Sequence, residues 1–507
     1  MAGAASKWVQ PARARLSLFI SAALLAPIAT PAAESGPLYD IVFTGARAID
    51  PETGLDAVRN VAVSGDKIVV LSERPLAAKR TIDARGLVAA PGFIDLHSHT
   101  ASFEAATYQV KDGVTTRLEL EIGVYPVRPW YQVREGRELI NYGTSVGHTA
   151  ARYFLQKGGD AAALVAAMDS EALFSAPETA DPIPPAAYSR LAKVLEEGLR
   201  DGAVGIGSAT QYAPGITHKE MLDVTGVAGR NRTCVFTHVR YGSLVEPGST
   251  LASVQESIAN AAVTSACVHV VHINSMGMAD SPLMVRLMRQ ARDRGIDVST
   301  EAYPWDGSVD EIRSVIFAPG WERRWGVSVG DLQSRATGKR LTQAEFDALR
   351  SGKGDDRVIM HMNTEATIQA LMKDPLVLVA SDGLDPIDAN SHPRTVGTFS
   401  RVLGHYVREA RTISLMEAIR KMSLMPAQRL EAFVPPMKRK GRLQVGADAD
   451  IVLFDPEVVA AHATYGDAKQ FSIGFRYVMV NGVLVVDRGE LVGGVRPGRP
   501  VYGQIAQ

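Results

Sequence analysis

Cysteine is scarce in this chain, since only 2 of its 507 residues are cysteine. Two thiols are too few for a disulfide framework or for a zinc site made of four sulfur atoms. Net charge is scarce as well, because 54 lysines and arginines against 55 aspartates and glutamates leave −1. This balance argues against nucleic acid and acidic membranes as partners. With eleven histidines present, any transition-metal site must be built mainly from nitrogen and oxygen.

The only long apolar run lies at the N-terminus. A basic start with Lys7, Arg13 and Arg15 precedes the apolar residues 16–29, a run too short to span a bilayer. Small residues follow, including Ala32. The pattern predicts a secretory signal peptide over residues 1–32, with an uncleaved membrane anchor as the alternative. We therefore expect a periplasmic or secreted protein with no stable membrane insertion after cleavage.

Two strand patterns divide the rest of the chain. Residues 35–90 and 435–507 carry short strands and turns, and neither piece is long enough to bury both of its faces. They are predicted to form one small β domain from both chain ends. Residues 91–434 alternate buried strands with helical stretches, which predicts an α/β fold of the (β/α)8 barrel type. Functional residues of such barrels lie at the C-terminal ends of the strands.

The first predicted barrel strand ends in the motif Pro91-Gly-Phe-Ile-Asp-Leu-His-Ser-His99. Because alternate residues of a strand share one side, His97 and His99 are expected to point into the barrel, with Asp95 beneath them. Two imidazoles at this spacing can share one cation.

The second strand, residues 113–121, contains charged residues in an apolar setting. Arg117, Glu119 and Glu121 share one face, which we expect to point inward, while Leu118 and Leu120 face the helices. Buried carboxylates are costly when unpaired, so either Arg117 or a cation must neutralise them. Glu121 is nearest the strand end and is the predicted metal ligand. A buried salt bridge remains the alternative, and a role for Glu119 stays open.

Strands five and six each end in histidine. In strand five the predicted inward residues are Cys234, Phe236 and His238. In strand six they are Val268, Val270 and His272, which leaves Cys267 and His269 outward. The two cysteines are therefore expected in core packing away from any metal, and their spacing leaves open whether they pair.

An aspartate, Asp382, follows the apolar residues 377–380 and precedes a glycine, which places it at the barrel rim. A helix N-cap or turn role is the alternative. Four histidines, a glutamate and this aspartate thus fall at strand ends, the ligand set of a hydrolase with one or two metal ions. Six histidines lack such a placement and are predicted to be surface or core residues: His148, His218, His269, His361, His405 and His462.

From about Tyr39 onward the chain resembles the amidohydrolase superfamily, and within it the D-aminoacylase (N-acyl-D-amino-acid deacylase) group. The motifs that carry the resemblance are PGFIDLHSH, GVTT (113–116), THVR (237–240), HIN (272–274), YPW (303–305), SDG (381–383), HPRTVGTFSRVLGHYVRE (392–409), PAQRL (426–430) and GADADIVLFDP (447–456). The resemblance implies a small β-sandwich beside the barrel and an insertion after strand seven, about 306–356, that covers the site. It also implies one or two Zn²⁺ ions, or another divalent metal, and hydrolysis of small N-acyl amino acids.

The resemblance also assigns roles by position. It implies that the metal is held by His97, His99, His238 and His272, and that Asp382 is catalytic. Arg394 matches an arginine that holds the substrate carboxylate, Tyr303 matches a pocket tyrosine, and His392 lies beside that arginine. The predicted substrate-binding residues are Arg394, Tyr303, Asn274 and His392. Two positions depart from the group: Glu121 stands where a cysteine ligand is typical, and Asn274 where a substrate-binding lysine is usual. The strand motif LELE is similar to that of D-glutamate deacylases.

The sequence is compatible with two other functions. The first is a dipeptidase or cyclic-amide hydrolase on the same barrel, which commonly uses a carboxylated lysine from strand four; residues 203–210 contain no lysine. The second is a non-catalytic interaction protein with the same fold, which the complete set of metal ligands disfavours. The oligomeric state stays open.

Overall fold

The computed structural model describes residues 38–160, 177–354, 357–385 and 387–504. The predicted signal peptide, residues 1–32, lies outside this range. No helix within the described ranges is long and apolar enough to cross a membrane.

The centre of the fold is a barrel of eight parallel strands. In chain order these are Phe93–Asp95, Val114–Val124, Asn141–Gly147, Ile206–Ala209, Cys234–His238, Cys267–Val270, Val298–Ala302 and Val377–Val379. Strands one and eight close the ring through the buried carboxylate of Asp95, which accepts a hydrogen bond from the Ser381 amide at 3.0 Å. The amide of His99 also donates to the Gly383 carbonyl at 2.8 Å. The predicted barrel is therefore confirmed.

Helices surround the barrel and join its strands. Their bounds are Phe103–Lys111, Val127–Gln132, His148–Gln156, Tyr188–Arg200, His218–Arg230, Thr250–Thr264, Ile273–Gly277, Ser281–Arg292, Glu365–Lys373, Arg394–Arg401, Leu415–Ile419 and Met425–Leu430, with π-helical turns at Val402–Glu409 and Arg420–Leu424. Several begin at a serine or threonine, such as Ser102 and Thr217, whose side-chain oxygen accepts a backbone hydrogen bond from the first turn. Tyr188–Arg200 buries leucines and a valine at helical spacing, which fixes its inward face.

The interior of the barrel corrects the prediction for strand two. Leu118 and Leu120 belong to the apolar cluster inside the barrel, with residues of strands on the opposite side such as Phe236. Arg117 points the other way, and its guanidinium donates to Gln109 of the first helix and, at 2.8 Å, to Glu138. The expectation that Arg117 points inward and the leucines face the helices is therefore wrong, and Arg117 pairs with Glu138 in place of Glu119. The alternation breaks beyond Glu119, where the strand register shifts and Gly123 has φ +65°.

Strand six also reverses the predicted faces. Val268 and Val270 pack against the surrounding helices, whereas Cys267 and His269 point inward, with the His269 ring 5.7 Å from that of Phe236. His272 still reaches the barrel mouth because the strand ends at Val270 and His272 has φ +29°, outside extended geometry. Side-chain alternation applies only within a regular strand, and here the functional residue lies beyond its end.

The two cysteines form a disulfide inside the barrel. Cys234 and Cys267 are register partners in strands five and six, with their Cα atoms 4.4 Å apart. Both belong to the interior apolar cluster, as expected for core packing, and they lie at the strand ends opposite the metal ligands. Strand register is a tertiary property, which is why the pairing stayed open in the sequence.

Replacing both cysteines by alanine is expected to lower the free energy of unfolding by about 3–4 kcal/mol, because the bond closes a loop of 33 residues. Thermal unfolding of the double variant beside the wild-type protein measures the effect. Metal content should stay unchanged, since neither sulfur lies among the metal-ligand candidates. An equal melting temperature, or loss of metal from a folded variant, would contradict this expectation.

Both chain ends form one nine-stranded sheet. Its strands are Tyr39–Asp50, Leu55–Ser64, Lys67–Ser72, Ala78–Asp83, Val88–Pro91, Ile451–Phe454, Phe475–Val480, Val483–Asp487 and Glu490–Leu491. The rings of Phe43 and Tyr477 lie 6.0 Å apart although their strands are three places apart in the sheet, about 14 Å if it were flat. The sheet therefore folds over on itself around its own apolar core, which makes the small sandwich expected beside the barrel.

The segment after strand seven forms a separate layer. It contains a three-stranded sheet of Gly307–Glu311, Leu332–Ser334 and Arg357–His361, with the helices Trp321–Trp325 and Gln343–Arg350. Its core is rich in aromatic residues, including Phe317, Trp321 and Phe346. The first strand of this layer places Val309 and Asp310 over the C-terminal ends of the barrel strands, where both residues line a cavity.

Candidate metal centre

Six predicted residues meet at the C-terminal end of the barrel. Their donor atoms form two groups, each with all its atoms within 4.8 Å of one another. The first group contains His97, His99, Glu121 and Asp382, and the second contains Glu121, His238 and His272. The structure therefore brings together every metal ligand that the sequence predicts, and it adds Asp382 to the first group.

Glu121 connects the two groups through its two oxygen atoms. Oε2 lies 3.0 Å from Nε2 of both His97 and His99. Oε1 lies 2.8 Å from Nδ1 of His238 and 3.0 Å from Nε2 of His272. Because each oxygen faces a different pair of imidazoles, the carboxylate is placed to bridge two cations.

A second layer of carboxylates orients the first two histidines. Glu301 in strand seven lies 2.6 Å from Nδ1 of His97, and Glu119 lies 2.6 Å from Nδ1 of His99. Such carboxylate–imidazole pairs fix the ring orientation and its tautomer. Glu119 therefore takes part as a partner of His99, a role that the sequence left open.

Sequence reasoning missed Glu301, although a glutamate within an apolar barrel strand is a usable signal. Its second oxygen lies 3.0 Å from Nε2 of His269, whose Nδ1 in turn lies 2.7 Å from the Ser299 hydroxyl. His269 is buried, as its prediction as a surface or core residue allows, and it supports the metal centre through Glu301.

The donor arrangement fits a metal cation. With the Nδ1 protons of His97 and His99 directed to carboxylates, both Nε2 lone pairs point at the same space, 3.0 Å apart. The Glu121 oxygen that lies equally close adds a further electron pair. Such convergence of acceptors without a shared proton is the geometry of ligands around a cation.

The electrostatics of the pocket favour positive charge. Burial alone would lower the pKa of His97, but the carboxylates of Asp382, Glu121 and Glu301 raise it well above its usual range. Burial would likewise raise the pKa of Glu121, whereas His97 and His272 hold it well below its usual range. The carboxylates therefore favour positive charge in this space, and a bound cation would supply it in place of protons on the histidine Nε2 atoms.

Asp382 sits where its sequence position predicts. It has φ +53°, a left-handed conformation that aspartate adopts rarely and that clusters at functional sites. Its Oδ1 lies 3.4 Å from Nε2 of both His97 and His99, and its Oδ2 accepts from Arg394 at 2.8 Å. Burial would raise the pKa of Asp382, but the positive charge of Arg394 and the histidine contacts lower it, so the carboxylate is ionised and can accept a proton.

Among the four predicted substrate residues, Arg394 lines the cavity above the histidines, whereas Tyr303, Asn274 and His392 do not. Arg394 lines the cavity, and its guanidinium lies 5.1 Å from the ring of the buried Tyr303. The side-chain amide of Asn274 donates to the Tyr303 carbonyl at 3.3 Å and accepts from the Tyr303 backbone amide at 3.4 Å. His392 donates to the Gly307 carbonyl and accepts from the Arg394 amide. Asn274 and His392 therefore position their neighbours and are directed away from the cavity.

A cavity of about 130 Å³ opens above the metal centre. The barrel contributes His99, Glu121, His238, His272, Asp382 and Arg394 to its wall, and the insertion contributes Val309, Asp310, Glu311, Ser314 and Arg357. Burial raises the pKa of Asp310 to about 7, and Tyr212 donates a hydrogen bond to its carboxylate at 3.1 Å. The site is thus enclosed between the strand ends and the insertion.

Replacing Glu301 by glutamine is expected to weaken zinc affinity by about 10–100-fold, because the amide cannot hold His97 in the same charged hydrogen bond. Competition titration against a chromogenic chelator measures the change. The exposed Glu365, which contacts His405 on the protein surface, provides the matched control Glu365→Gln. Equal affinities of the two variants and the wild-type protein would contradict the role of Glu301.

Most of the chain is similar to known proteins. Residues 144–486 match the amidohydrolase family. The chain is 30% identical over 493 residues to N-acyl-D-glutamate deacylase of Alcaligenes xylosoxydans xylosoxydans, covering 88% of this chain and 93% of that protein. It is 28% identical over 475 residues to D-aminoacylase of the same organism, covering 88% and 94%.

A solved structure shows the same fold. The crystal structure of N-acyl-D-glutamate deacylase from Bordetella bronchiseptica, complexed with zinc and a phosphonate inhibitor, superposes with a TM-score of 0.77 at 24% identity. The match covers 92% of this chain and 100% of that chain. Family match, length coverage and fold agree, and we conclude that this chain belongs to the amidohydrolase family.

Proposed function

We propose that this amidohydrolase cleaves the amide bond of N-acyl-D-amino acids and releases a carboxylic acid and a free amino acid. The observation that carries the proposal is the pairing of Arg394 with Asp382, 2.8 Å apart, beside the histidine cluster. It places a carboxylate-binding group next to a proton acceptor at the metal centre. The relatives named N-acyl-D-glutamate deacylase, D-aminoacylase and N-acyl-D-aspartate deacylase support the substrate class.

The proposed cofactor is zinc, with one ion or two. One related structure contains zinc, and D-aminoacylase, another structural relative, has a binuclear metal centre. In this chain His97, His99, Glu121 and Asp382 would hold one ion, and Glu121, His238 and His272 would hold the other. When bound, such an ion polarises the scissile carbonyl and lowers the pKa of water.

Asp382 performs the proton transfers in the proposed reaction. Its ionised carboxylate accepts the proton of the attacking water, and the same carboxyl then donates it to the leaving amine nitrogen. The left-handed backbone at Asp382 and its contact with Arg394 fix the carboxylate at the cavity floor. No other proton carrier is required.

Arg394 holds the α-carboxylate of the substrate. It is 3% exposed, and although one nitrogen donates to Asp382, its Nε is buried without a hydrogen-bond partner. A buried donor without a partner is costly unless a ligand accepts from it. A substrate carboxylate bound there is oriented with its amide towards Asp382.

We further propose that the side chain of the preferred substrate is acidic. Arg357, on the last strand of the insertion, brings a second guanidinium to the cavity wall. Arg357→Met is expected to lower kcat/KM for N-acetyl-D-glutamate by about 10–100-fold through loss of a charged contact. N-acetyl-D-methionine is the matched control substrate, and an equal loss for both would contradict the assignment.

The proposed function is tested with the zinc-loaded protein on matched D and L substrates. Release of free amino acid from N-acetyl-D-glutamate, N-acetyl-D-aspartate and N-acetyl-D-methionine should exceed release from the L enantiomers, and chelation should abolish it. Hydrolysis of dipeptides or cyclic amides in preference to these substrates would overturn the proposal. Strand four, Ile206–Ala209, contains no lysine for the carboxylated bridge that such enzymes commonly use.

We also propose that the protein is exported. The basic start and apolar run of residues 1–32 support a cleaved signal peptide. The disulfide between Cys234 and Cys267 agrees with this, because such bonds persist in oxidising compartments. N-terminal sequencing of protein from the periplasmic or secreted fraction should give a start near Ala33, whereas an intact N-terminus confined to the cytosol would contradict export.

A further inference from the structure

A second cavity lies at the opposite end of the barrel from the metal centre. Its floor includes Ser299 at the beginning of strand seven, together with Leu376 and Leu378 at the beginning of strand eight. Its volume is about 270 Å³. Because the metal ligands lie at the C-terminal ends of the strands, this cavity is separate from the site of the proposed reaction.

Four arginines line this cavity: Arg289, Arg292, Arg420 and Arg429. Its wall contains no acidic side chain within the described part of the chain. Arginine is the residue that best matches planar or tetrahedral oxyanions, because its donors form a fixed fork. Four guanidinium groups on one wall are therefore arranged for an anion.

Three carboxylates pair with these arginines, and none of the three is among the residues that line the cavity. Asp374 pairs with Arg289 at 2.5 Å, Asp297 with Arg429 at 2.6 Å, and Glu417 with Arg420 at 2.7 Å. Arg292 is exposed and has no salt-bridge contact among the described residues, although its charge helps to lower the pKa of Asp297. These pairs hold the guanidinium groups in place and leave the cavity side positive.

The charge count favours a ligand with two negative charges. Lys421 lies directly behind the wall, is fully buried, and donates to the carbonyls of Asp374 and Val377. The four arginines and this lysine carry five positive charges, against three negative charges on their paired carboxylates. Two positive charges remain, which one dianion would neutralise.

The cavity also offers a hydrogen-bond donor without a partner and an apolar surface. The Nε of Arg429 is buried without a hydrogen-bond partner, and only 8% of this side chain is exposed. Leu376, Leu378 and Met425 provide an apolar surface beside the guanidinium groups. Apolar surface in a charged cavity suits a ligand that carries a hydrocarbon group.

We propose that this arginine cavity binds an organic dianion, a phosphate monoester or a dicarboxylate with an apolar substituent. The guanidinium groups hold the charged end, and the leucine and methionine side chains contact the substituent. A phosphate monoester and a dicarboxylate share this chemistry, and titration with one ligand of each kind distinguishes them.

Isothermal titration of the full-length, zinc-loaded protein with phenyl phosphate and with phenylsuccinate tests the proposal. We expect a saturable site at the arginine cavity for at least one of them, in addition to any binding at the metal centre, and the ligand that binds this cavity more tightly identifies the source. The double variant Arg292→Gln/Arg420→Gln should weaken binding at least 10-fold. Arg476→Gln, which alters an exposed arginine of the sandwich, should bind as the wild-type protein does.

Two further measurements keep the result specific to this cavity. Titration of the chelator-stripped protein should give the same affinity, because binding at the metal centre would be lost with the metal. Arg292 is exposed and forms no salt bridge within the described ranges, so the single variant Arg292→Gln should fold normally and weaken binding at least 3-fold. Unchanged affinity in both variants, or no saturable binding to the wild-type protein, would overturn the proposal. These binding measurements do not depend on whether the protein hydrolyses N-acyl-D-amino acids.

Discussion

Replacing Asp382 by asparagine is expected to lower kcat by about 10²–10⁴-fold, the range in which positioned acid–base groups contribute to catalysis. Asparagine preserves the size of the side chain and one oxygen next to His97 and His99, but it cannot accept the proton of water. The melting temperature should therefore change little, and the ion held by Glu121, His238 and His272 should remain. Steady-state kinetics with N-acetyl-D-glutamate, combined with elemental analysis, measure both effects.

A neighbouring aspartate provides the control for this variant. Asp385 lines the same cavity, but its carboxylate accepts hydrogen bonds from the amides of Ala101 and Ser102 and does not contact the histidine cluster. Asp385→Asn should keep kcat within a few-fold of the wild-type value. An active Asp382→Asn enzyme, or equal losses in the two variants, would remove Asp382 from the proposed mechanism.

Replacing Glu121 by glutamine should have the largest effect on metal binding. The carboxylate faces four imidazoles, with contacts of 2.8 to 3.0 Å, and one amide cannot offer oxygen to both metal groups. We expect zinc content to fall by at least one ion per chain and hydrolysis to fall with it. Elemental analysis after dialysis against a fixed free zinc concentration measures the loss.

The comparison with Glu119 tests whether Glu121 itself is a ligand. Glu119 contacts only Nδ1 of His99 among the four histidines, so Glu119→Gln should weaken metal affinity by about 10–100-fold without removing a ligand. We expect zinc content to be lowest in Glu121→Gln, intermediate in Glu119→Gln and highest in the wild-type protein. Identical zinc content in all three proteins would refute the bridge.

The barrel and its metal ligands could be predicted because both depend on local sequence. Repeated strand–helix alternation indicates the barrel, and each ligand lies at or just beyond the end of an apolar run. His97, His99 and Asp382 stand in short motifs whose chemistry is readable without tertiary information. The sandwich could also be inferred, since each chain end has too few strands to bury both faces.

Which face of a strand points inward could not be read from alternation. The charged residues of strand two suggested an inward face, but Arg117 pairs with Glu138 in the helix layer. A bulge near Gly123 and the left-handed backbone of His272 bring ligands to the centre regardless of strand parity. Such irregularities depend on tertiary packing, and they occur here at the functional site.

Roles that depend on contacts between distant segments were also hidden. Glu301 acquires its function from His97, more than 200 residues away. Asn274 and His392 stand at positions that the resemblance links to substrate, yet their side chains hold the backbone of Tyr303 and Arg394. Pairwise geometry of this kind is absent from a single sequence.

Anomalous diffraction at the zinc absorption edge shows whether Glu121 bridges two metal ions. Crystals of the zinc-loaded protein should show an ion about 2.0–2.2 Å from one Glu121 oxygen and the His97 and His99 nitrogens. At higher zinc concentration a second ion should appear between the other oxygen, His238 and His272. Anomalous density at this centre without contact to Glu121, or confined to residues outside it, would contradict a bridging Glu121.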